Sequence, residues 1–291
     1  MTTQFTSSPL ARTLSRLPSS STHPPSATDV EAFRRAQRLA FDCAQACAAE
    51  MRVGWTEGRT AKWMFGYLHD HGVRSYLHKP IVAFGDRTVA HDDQWEPPRG
   101  PGLTLKEGDV VILDCAPVLE GYTGDIAYTL AVGEHPELDR ARDFLTDLRA
   151  ELPERIMDPA TSATIFDWVD QQIRGAGFQN GAGGYGEHVM GHRVYRHGKF
   201  FTNHPASPPE KVFGYFPSWH SGGFLLNNVR RLVAPEVLNV NHRGLKTGVW
   251  AIEPHLRADG WGAKFEELLV VQPDRAYWLD DISQERIVIQ P

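Results

Sequence analysis

Four carboxylates stand at the edges of apolar runs, where burial of a charged side chain is costly. They are Asp114, Asp125, Glu253 and Glu266. A buried carboxylate costs several kcal/mol unless it is paired, hydrogen-bonded or bound to a metal ion. A single acid at a strand end is ordinarily a turn or cap residue, but four such acids need a common cation. Because no matching set of lysines or arginines stands in these runs, the sequence predicts bound metal.

The expected ligand types also indicate which ions would bind. An oxygen-rich site with one imidazole is suited to a manganese, iron, cobalt or zinc ion in a catalytic role. A structural zinc site, in contrast, prefers thiolate ligands. Four negative charges balance two divalent ions better than one. Paired ions ~3.5–4 Å apart share a water or hydroxide that can attack a carbonyl. The predicted chemistry is therefore hydrolysis at a dinuclear metal site.

Three other sequence patterns that could indicate a cofactor or catalytic site do not match the known motifs in spacing or context. A GxGxxG pattern at 181–186 follows a predicted helix, and no acidic residue stands near twenty positions on, so a dinucleotide site is excluded. His188 and His192 are four positions apart, but Val189 occupies the place of the glutamate in a zinc-protease HExxH helix. Ser221 lacks the preceding glycine of a nucleophile elbow.

The elements that position these residues alternate between helices and strands. Residues 1–28, rich in Ser, Thr and Pro, predict a flexible tail before a catalytic domain at 29–291. Thr28 and Glu31 fit a capping box at the start of the first helix. Helices are predicted over 29–51, 60–72, 136–152 and 162–177, a strand hairpin over 109–133, and strands over 247–256, 263–271 and 285–289. This order predicts an α+β fold in two halves of similar plan around one shared sheet.

The composition narrows the class of protein. The 291 residues are 41% hydrophobic and 23% charged, with a net charge of -6, as in ordinary globular proteins. The negative charge does not favour nucleic acid, and no apolar run is long enough to cross a membrane. Three cysteines cannot form a disulfide framework, so we expect a cytoplasmic protein. Cys43 and Cys47, four residues apart, are expected to be core residues rather than ligands.

The acidic residues also resemble a known family. Asp114 and Asp125 are separated by ten residues with Gly121-Tyr122 between them, which resembles the D-x10-D hairpin of the pita-bread metallopeptidases. That group includes methionine aminopeptidase, Xaa-Pro aminopeptidase, prolidase and creatinase. The resemblance extends from about residue 29 to residue 285. It implies a pita-bread fold, with two pseudo-symmetric halves sharing a curved antiparallel sheet.

Further segments resemble the remaining motifs of this family. "HVMG" from His188 resembles its His-Gly-Ile-Gly segment, "AIEP" its Glu-Pro element around Glu253, and "KFEELLVV" its last acidic strand. The last match marks Glu266 rather than Glu267 as the ligand. His91, in "VAHDD", resembles the substrate-side histidine of the family.

The resemblance implies a role for each matched residue. The implied metal ligands are Asp114, Asp125, His188, Glu253 and Glu266. Asp125 and Glu266 would bridge two ions, and Glu253 would also move a proton from the attacking water to the leaving amine. His188 is the implied ligand and His192 is not.

Several substrate-contact positions depart from the family pattern. Tyr195 stands where the family usually has a second histidine, and His192 or His197 is the candidate to replace it. The other departures are Tyr128, Val189 and Lys264. Since the ligand positions match and the contact positions do not, we expect a divergent substrate. The chain is also expected to lack the additional N-terminal domain of prolidase and to be closer in size to methionine aminopeptidase.

The sequence thus favours a metal-dependent aminopeptidase or related amide hydrolase. A creatinase-like enzyme acting on a non-peptide substrate and a non-catalytic binding module remain as alternatives. The expected partner is a peptide or small amide, without nucleic acid or membrane, and a homodimer is a candidate assembly.

Overall fold

A computed structural model describes residues 24–89, 100–184, 189–196, 211–212, 237–245, 247–280 and 288–289. Its α-helices are α1 (Ala27–Glu50), α2 (Glu57–Asp70), α3 (Pro136–Met157) and α4 (Ile165–Gly175). All four predicted helices are confirmed, although α3 continues through Pro153 beyond its expected end. A 3₁₀ turn, Ser162–Thr164, precedes α4.

The start of α1 corrects the predicted cap. Ser26 is the N-cap: its side chain accepts the backbone N–H of Asp29, and the Asp29 carboxylate accepts the backbone N–H of Ser26. Pro25 cannot donate a backbone hydrogen bond, and Ser26 is extended, so the helix begins at Ala27 rather than after Thr28. Ala27 and Thr28, which were predicted to end the tail, therefore belong to the helix. Residues 1–23 lie outside the described part of the chain.

The strands of the described residues confirm the predicted hairpin and C-terminal strands and add six that were not expected, of which β1 is the longest. They are β1 (Ser75–Phe84), β2 (Val110–Leu119), β3 (Tyr122–Thr123), β4 (Ile126–Val132), β5 (Gln179–Asn180), β6 (Gly191–Val194), β7 (Lys211–Val212), β8 (Val237–Leu238), β9 (Gly248–Ile252), β10 (His255–Arg257), β11 (Gly262–Lys264), β12 (Glu267–Val271), β13 (Ala276–Trp278) and β14 (Val288–Ile289). The long strand β1 was missed by the sequence analysis.

These strands form two main sheets and a small third one. The first sheet has the order β14-β4-β2-β1-β7, with β3 paired to β2, and the second has the order β13-β12-β9-β6-β8. The third is β11-β10-β5. Ala127 and Glu266 join the two main sheets, because each donates its backbone N–H to the other's carbonyl, at 3.2 and 3.3 Å. The predicted shared sheet therefore takes the form of two sheets that meet at this bridge.

Each half packs two helices against its own sheet. The first core lies between α1, α2 and the first sheet, and the second between α3, α4 and the other strands. A third cluster of buried side chains brings together α1, β9 and β12 among other elements. Cys43 and Cys47 are buried in the first core, as expected. Among the described residues, no helix is long and apolar enough to cross a membrane.

Candidate metal centre

The four predicted acids converge where the two halves meet. Asp114 lies within β2, opposite Ile81 of β1 and Ala127 of β4, while the other three flank strands β4, β9 and β12. Asp114, Asp125, Glu253 and Glu266 are 1%, 0%, 4% and 3% exposed. The expectation of clustered, buried carboxylates is therefore met in the structure.

Lys264, noted above only as a departure from the family pattern, is a cation inside this cluster. Its Nζ lies 2.9 Å from Asp114 Oδ2, 2.9 Å from Glu253 Oε2 and 3.0 Å from Glu266 Oε2. The side chain is 1% exposed. The expectation that these runs hold no matching cation is corrected, because one ammonium serves three of the four carboxylates. Its position two residues before Glu266, at the end of β11, was the available sign.

The backbone around Lys264 is tied to the first half. The Lys264 N–H donates to Thr129 Oγ1 at 3.1 Å, and the Thr129 hydroxyl donates to the Lys264 carbonyl at 2.6 Å. These bonds connect β11 with β4, the strand that follows Asp125. The ammonium is therefore placed by the fold rather than by side-chain reach alone.

Two histidines flank Asp125 on opposite sides. His192 Nε2 lies 3.2 Å from Asp125 Oδ2 and 3.8 Å from Glu266 Oε1. His78 Nε2 lies 3.6 Å from Asp125 Oδ1 and 3.4 Å from Asp114 Oδ1. His192 thus contacts two predicted ligands, although the resemblance implies that it is not a ligand itself. His78, on the unexpected strand β1, was not anticipated at all.

The donor set fits divalent cations. Asp114 Oδ1 and both oxygens of Asp125 are buried without a well-directed hydrogen bond from the described residues. The atoms form two groups, His78–Asp114–Asp125 and Asp125–His192–Glu266, within each of which the candidate ligand atoms lie within 4.8 Å of one another. Buried carboxylates without hydrogen-bond donors are those that a cation stabilises. Asp125 belongs to both groups.

In the absence of a bound metal ion, burial and the charges of neighbouring side chains shift the pKa values of these groups. Burial, with the neighbouring Glu266 charge, raises the pKa of Glu253 to about 7. Burial also raises the pKa of Asp114. For Asp125 burial acts upward as well, but the neighbouring imidazoles of His192 and His78 outweigh it and lower the pKa. Burial disfavours the charged form of His192, yet Asp125 and Glu266 raise its pKa to about 10.

The structure separates Glu266 from its neighbour Glu267. Glu267 points away from the cluster and accepts two hydrogen bonds from Arg149, at 2.9 Å from Nε and 2.6 Å from Nη2. It is fully buried and satisfied by this bidentate pair. Glu266 instead faces Lys264 and His192, and its role as a ligand stays a prediction.

Of the other predicted site residues, some lie within the part of the chain that the structure describes and some lie outside it. His91, His188 and His197 lie outside the described residues, so their roles stay predictions. Tyr195 follows β6 and is half-buried, with the Arg193 guanidinium 5.6 Å from its ring centroid. The remaining departures from the family, Tyr128 and Val189, are buried, and Tyr128 belongs to the first core.

Similar folds are known from solved structures. A crystal structure of an X-Pro aminopeptidase from Thermotoga maritima MSB8 superposes with a TM-score of 0.60 at 16% identity, covering 96% of this chain and 66% of that one. A dipeptidase from Pyrococcus horikoshii OT3 gives a TM-score of 0.62 at 20% identity, covering 92% and 64%. At such identities the likeness concerns the fold, which is the pita-bread fold implied by the sequence.

Residues 31–273 match metallopeptidase family M24, and the chain therefore belongs to that family. A curated relative, the putative dipeptidase YkvY of Bacillus subtilis (strain 168), is 23% identical over 165 residues. That alignment covers 56% of this chain and 43% of the relative. The chain thus matches less than half of this relative's length and about two thirds or less of the solved structures.

Proposed function

We propose that this protein is a metal-dependent peptidase that cleaves short peptides with the aid of two divalent ions. The observation that carries the proposal is the pair of candidate ligand groups that share Asp125 at the meeting point of the halves. Membership of family M24 supports it. Manganese, iron, cobalt and zinc are the candidate ions, and manganese is the first to test.

The side chains of the cluster would divide the work. Asp114, Asp125 and Glu266 would hold the ions, together with imidazole from His192 and, on the strength of the family resemblance, His188. When bound, such ions polarise a substrate carbonyl and lower the pKa of water. Glu253 would accept a proton from the attacking water and deliver it to the leaving amine. Lys264 holds Glu253 Oε2 at 2.9 Å and so fixes the orientation of that carboxylate.

The substrate we propose is a dipeptide or an Xaa-Pro peptide rather than a peptide with N-terminal methionine. By description, the relative named above is a putative dipeptidase, and the two solved structures are a dipeptidase and an X-Pro aminopeptidase. Tyr195 in place of a histidine would change the polar contact to the substrate carbonyl. Specificity follows differences in transition-state contacts, so this change should alter substrate preference.

Two measurements test the proposal. Protein saturated with manganese or zinc and then freed of excess ion should contain close to two ions per chain, and chelation should abolish turnover. The second measurement compares kcat/KM on dipeptides, Xaa-Pro peptides and Met-Ala-Ser peptides. Absence of specific divalent-ion binding would refute the proposed function, and efficient release of N-terminal methionine would refute the proposed substrate.

Lys264 favours one alternative, a creatinase-like enzyme that works without metal. Its ammonium already compensates part of the charge on three carboxylates. In that case turnover of a small amide or amidine would survive exhaustive chelation. The same chelation experiment, run on small amides beside peptides, separates the two candidates. A homodimer and a cytoplasmic location are further proposals. Sedimentation checks the first, and cell fractionation checks the second.

A further inference from the structure

We propose that His78 is an additional metal ligand of this chain, completing an ion site with Asp114 and Asp125. The inference rests on the proposed function, because it concerns the same metal centre. His78 lies in β1 and belongs to none of the motifs on which the family resemblance depends. Its assignment comes from the arrangement of atoms around Asp125.

The first argument is the set of oxygens that His78 faces. Its Nε2 lies 3.4 Å from Asp114 Oδ1 and 3.6 Å from Asp125 Oδ1. Lys264 takes the other oxygen of Asp114, Oδ2, at 2.9 Å. Both oxygens facing His78 are buried and accept no well-directed hydrogen bond from the described residues. A cation between these three atoms would satisfy them together.

The second argument is the spacing of the three atoms. Distances of 3.4 and 3.6 Å are long for a charge-assisted hydrogen bond, which is ~2.7–2.9 Å. Two ligand atoms bonded at ~2.1 Å to one tetrahedral ion stand about 3.4 Å apart. The spacing of His78 from the two carboxylates is therefore that of neighbours in a coordination shell.

The third argument concerns the other ring nitrogen. His78 Nδ1 lies 3.0 Å from the Lys79 carbonyl, which can only accept, so in the neutral ring the proton is on Nδ1. The lone pair of Nε2 then points at the carboxylates. Metal-ligating histidines commonly donate their second nitrogen to a backbone carbonyl in this way. His192 repeats the arrangement, with Nδ1 3.3 Å from the Arg193 carbonyl.

The strand explains how His78 reaches the site. The β1–β2 pairing shifts register between Tyr76 and His78 and again between His78 and Ile81. Such irregularities re-aim a side chain and are frequent beside active sites. With His78 at one end and His192 at the other, the centre offers an imidazole to each candidate ion. Added nitrogen ligands favour zinc and cobalt over manganese.

The test measures ion binding rather than activity. The full chain is stripped of metal, and zinc and cobalt are titrated by calorimetry and by visible absorption of bound cobalt. We expect His78→Gln to weaken zinc binding about tenfold or more and to change the cobalt spectrum. His69→Gln, at an exposed histidine of α2, is the matched control and should leave both unchanged.

A second measurement uses the unmodified protein, in case the variant fails to fold. The His78 side chain is 22% exposed, and its acylation by diethyl pyrocarbonate is compared with and without zinc. Zinc should protect His78 from acylation, as shown by peptide mass mapping, while His69 remains reactive. Wild-type binding by His78→Gln, or acylation of His78 undiminished by zinc, would overturn the assignment and leave the proposed function standing. Absence of zinc binding by the wild type would refute both.

Discussion

Lys264 places a positive charge inside a cluster that was predicted from its acidic residues. It contacts Asp114 and Glu266 through their Oδ2 and Oε2 atoms, whereas His78 and His192 approach Oδ1 of Asp114 and Oε1 of Glu266. One oxygen of each carboxylate therefore faces away from Lys264, and a bound ion would use that oxygen without displacing the lysine. In the metal-free protein, Lys264 keeps these carboxylates together.

Replacing Lys264 by methionine should destabilise the metal-free protein. Removing one member of a buried ion pair costs ~3–5 kcal/mol, because the partner charges stay behind without compensation. We expect a lower thermal midpoint in chelator and a larger rise in the midpoint on adding manganese than in the wild type. Lys264→Arg, which keeps the charge, is the control. An unchanged midpoint for Lys264→Met in chelator would contradict this role.

Glu253→Gln should separate proton transfer from ion binding. The amide keeps the shape of the side chain but cannot accept the proton, and positioned acid–base groups contribute ~10²–10⁴-fold to turnover. We expect kcat to fall by that order while the protein still binds divalent ions. Steady-state kinetics with metal analysis on the same sample checks this. Near-normal turnover with ions bound would show that Glu253 does not carry the proton.

The sequence predicts these residues unequally, for a physical reason. Glu253 and Glu266 could be found because a carboxylate beside an apolar strand is costly. Lys264 and His78 could not be assigned in this way, because a lysine or histidine in a strand is ordinarily read as a solvated or half-buried side chain. Their roles depend on which strands lie next to each other, which one sequence does not disclose.

At the scale of elements, the helices and the β2–β4 hairpin were predicted from periodicity and turn residues. Strand β1 was not, because His78, Lys79 and Pro80 interrupt its apolar pattern. The same interruption coincides with the register shifts that bring His78 to Asp114. The irregularity that hides the strand from periodicity is thus tied to its candidate function.

The close approach of α1 to the hairpin gives a prediction about an element. Gly124 immediately precedes Asp125, and a Cβ at this position would overlap the backbone carbonyl of Ala36 in α1. Gly124→Ala should therefore push the turn away from α1 and displace Asp125. We expect a loss of stability of ~1–3 kcal/mol, the usual cost of overpacking, together with weaker ion binding.

Gly66→Ala is the matched control for that substitution. Gly66 lies inside α2, and a Cβ there meets nothing within 4 Å. Alanine in a helix interior should leave ion binding unchanged and stabilise the fold by ~0.5–1 kcal/mol. Chemical denaturation and zinc calorimetry on both variants provide the comparison. Equal ion affinity in Gly124→Ala and the wild type would show that the turn tolerates displacement.

At the scale of the whole molecule, two cores meet around one shared group of candidate ligands. Metal bound there should hold the halves together, because Asp114 and Asp125 come from the first and Glu253 and Glu266 from the second. Binding to the folded state alone adds ~2.7 kcal/mol when free ion is a hundred times its Kd. We expect one calorimetric transition with zinc and two in chelator. A single transition in chelator would show that the halves unfold together without metal.

The connection between β4 and β11 has a consequence for the order of events during synthesis. The bond from the Thr129 hydroxyl to the Lys264 carbonyl joins residues 135 positions apart. A ribosome adds ~5–20 residues per second, so Asp114 and Asp125 emerge several seconds or more before Lys264 and Glu266. During that interval the first two acids have neither their ammonium nor the second set of ligands. The group that contains Glu266 is therefore completed last, and a nascent chain arrested before residue 264 should bind fewer zinc ions than the full chain.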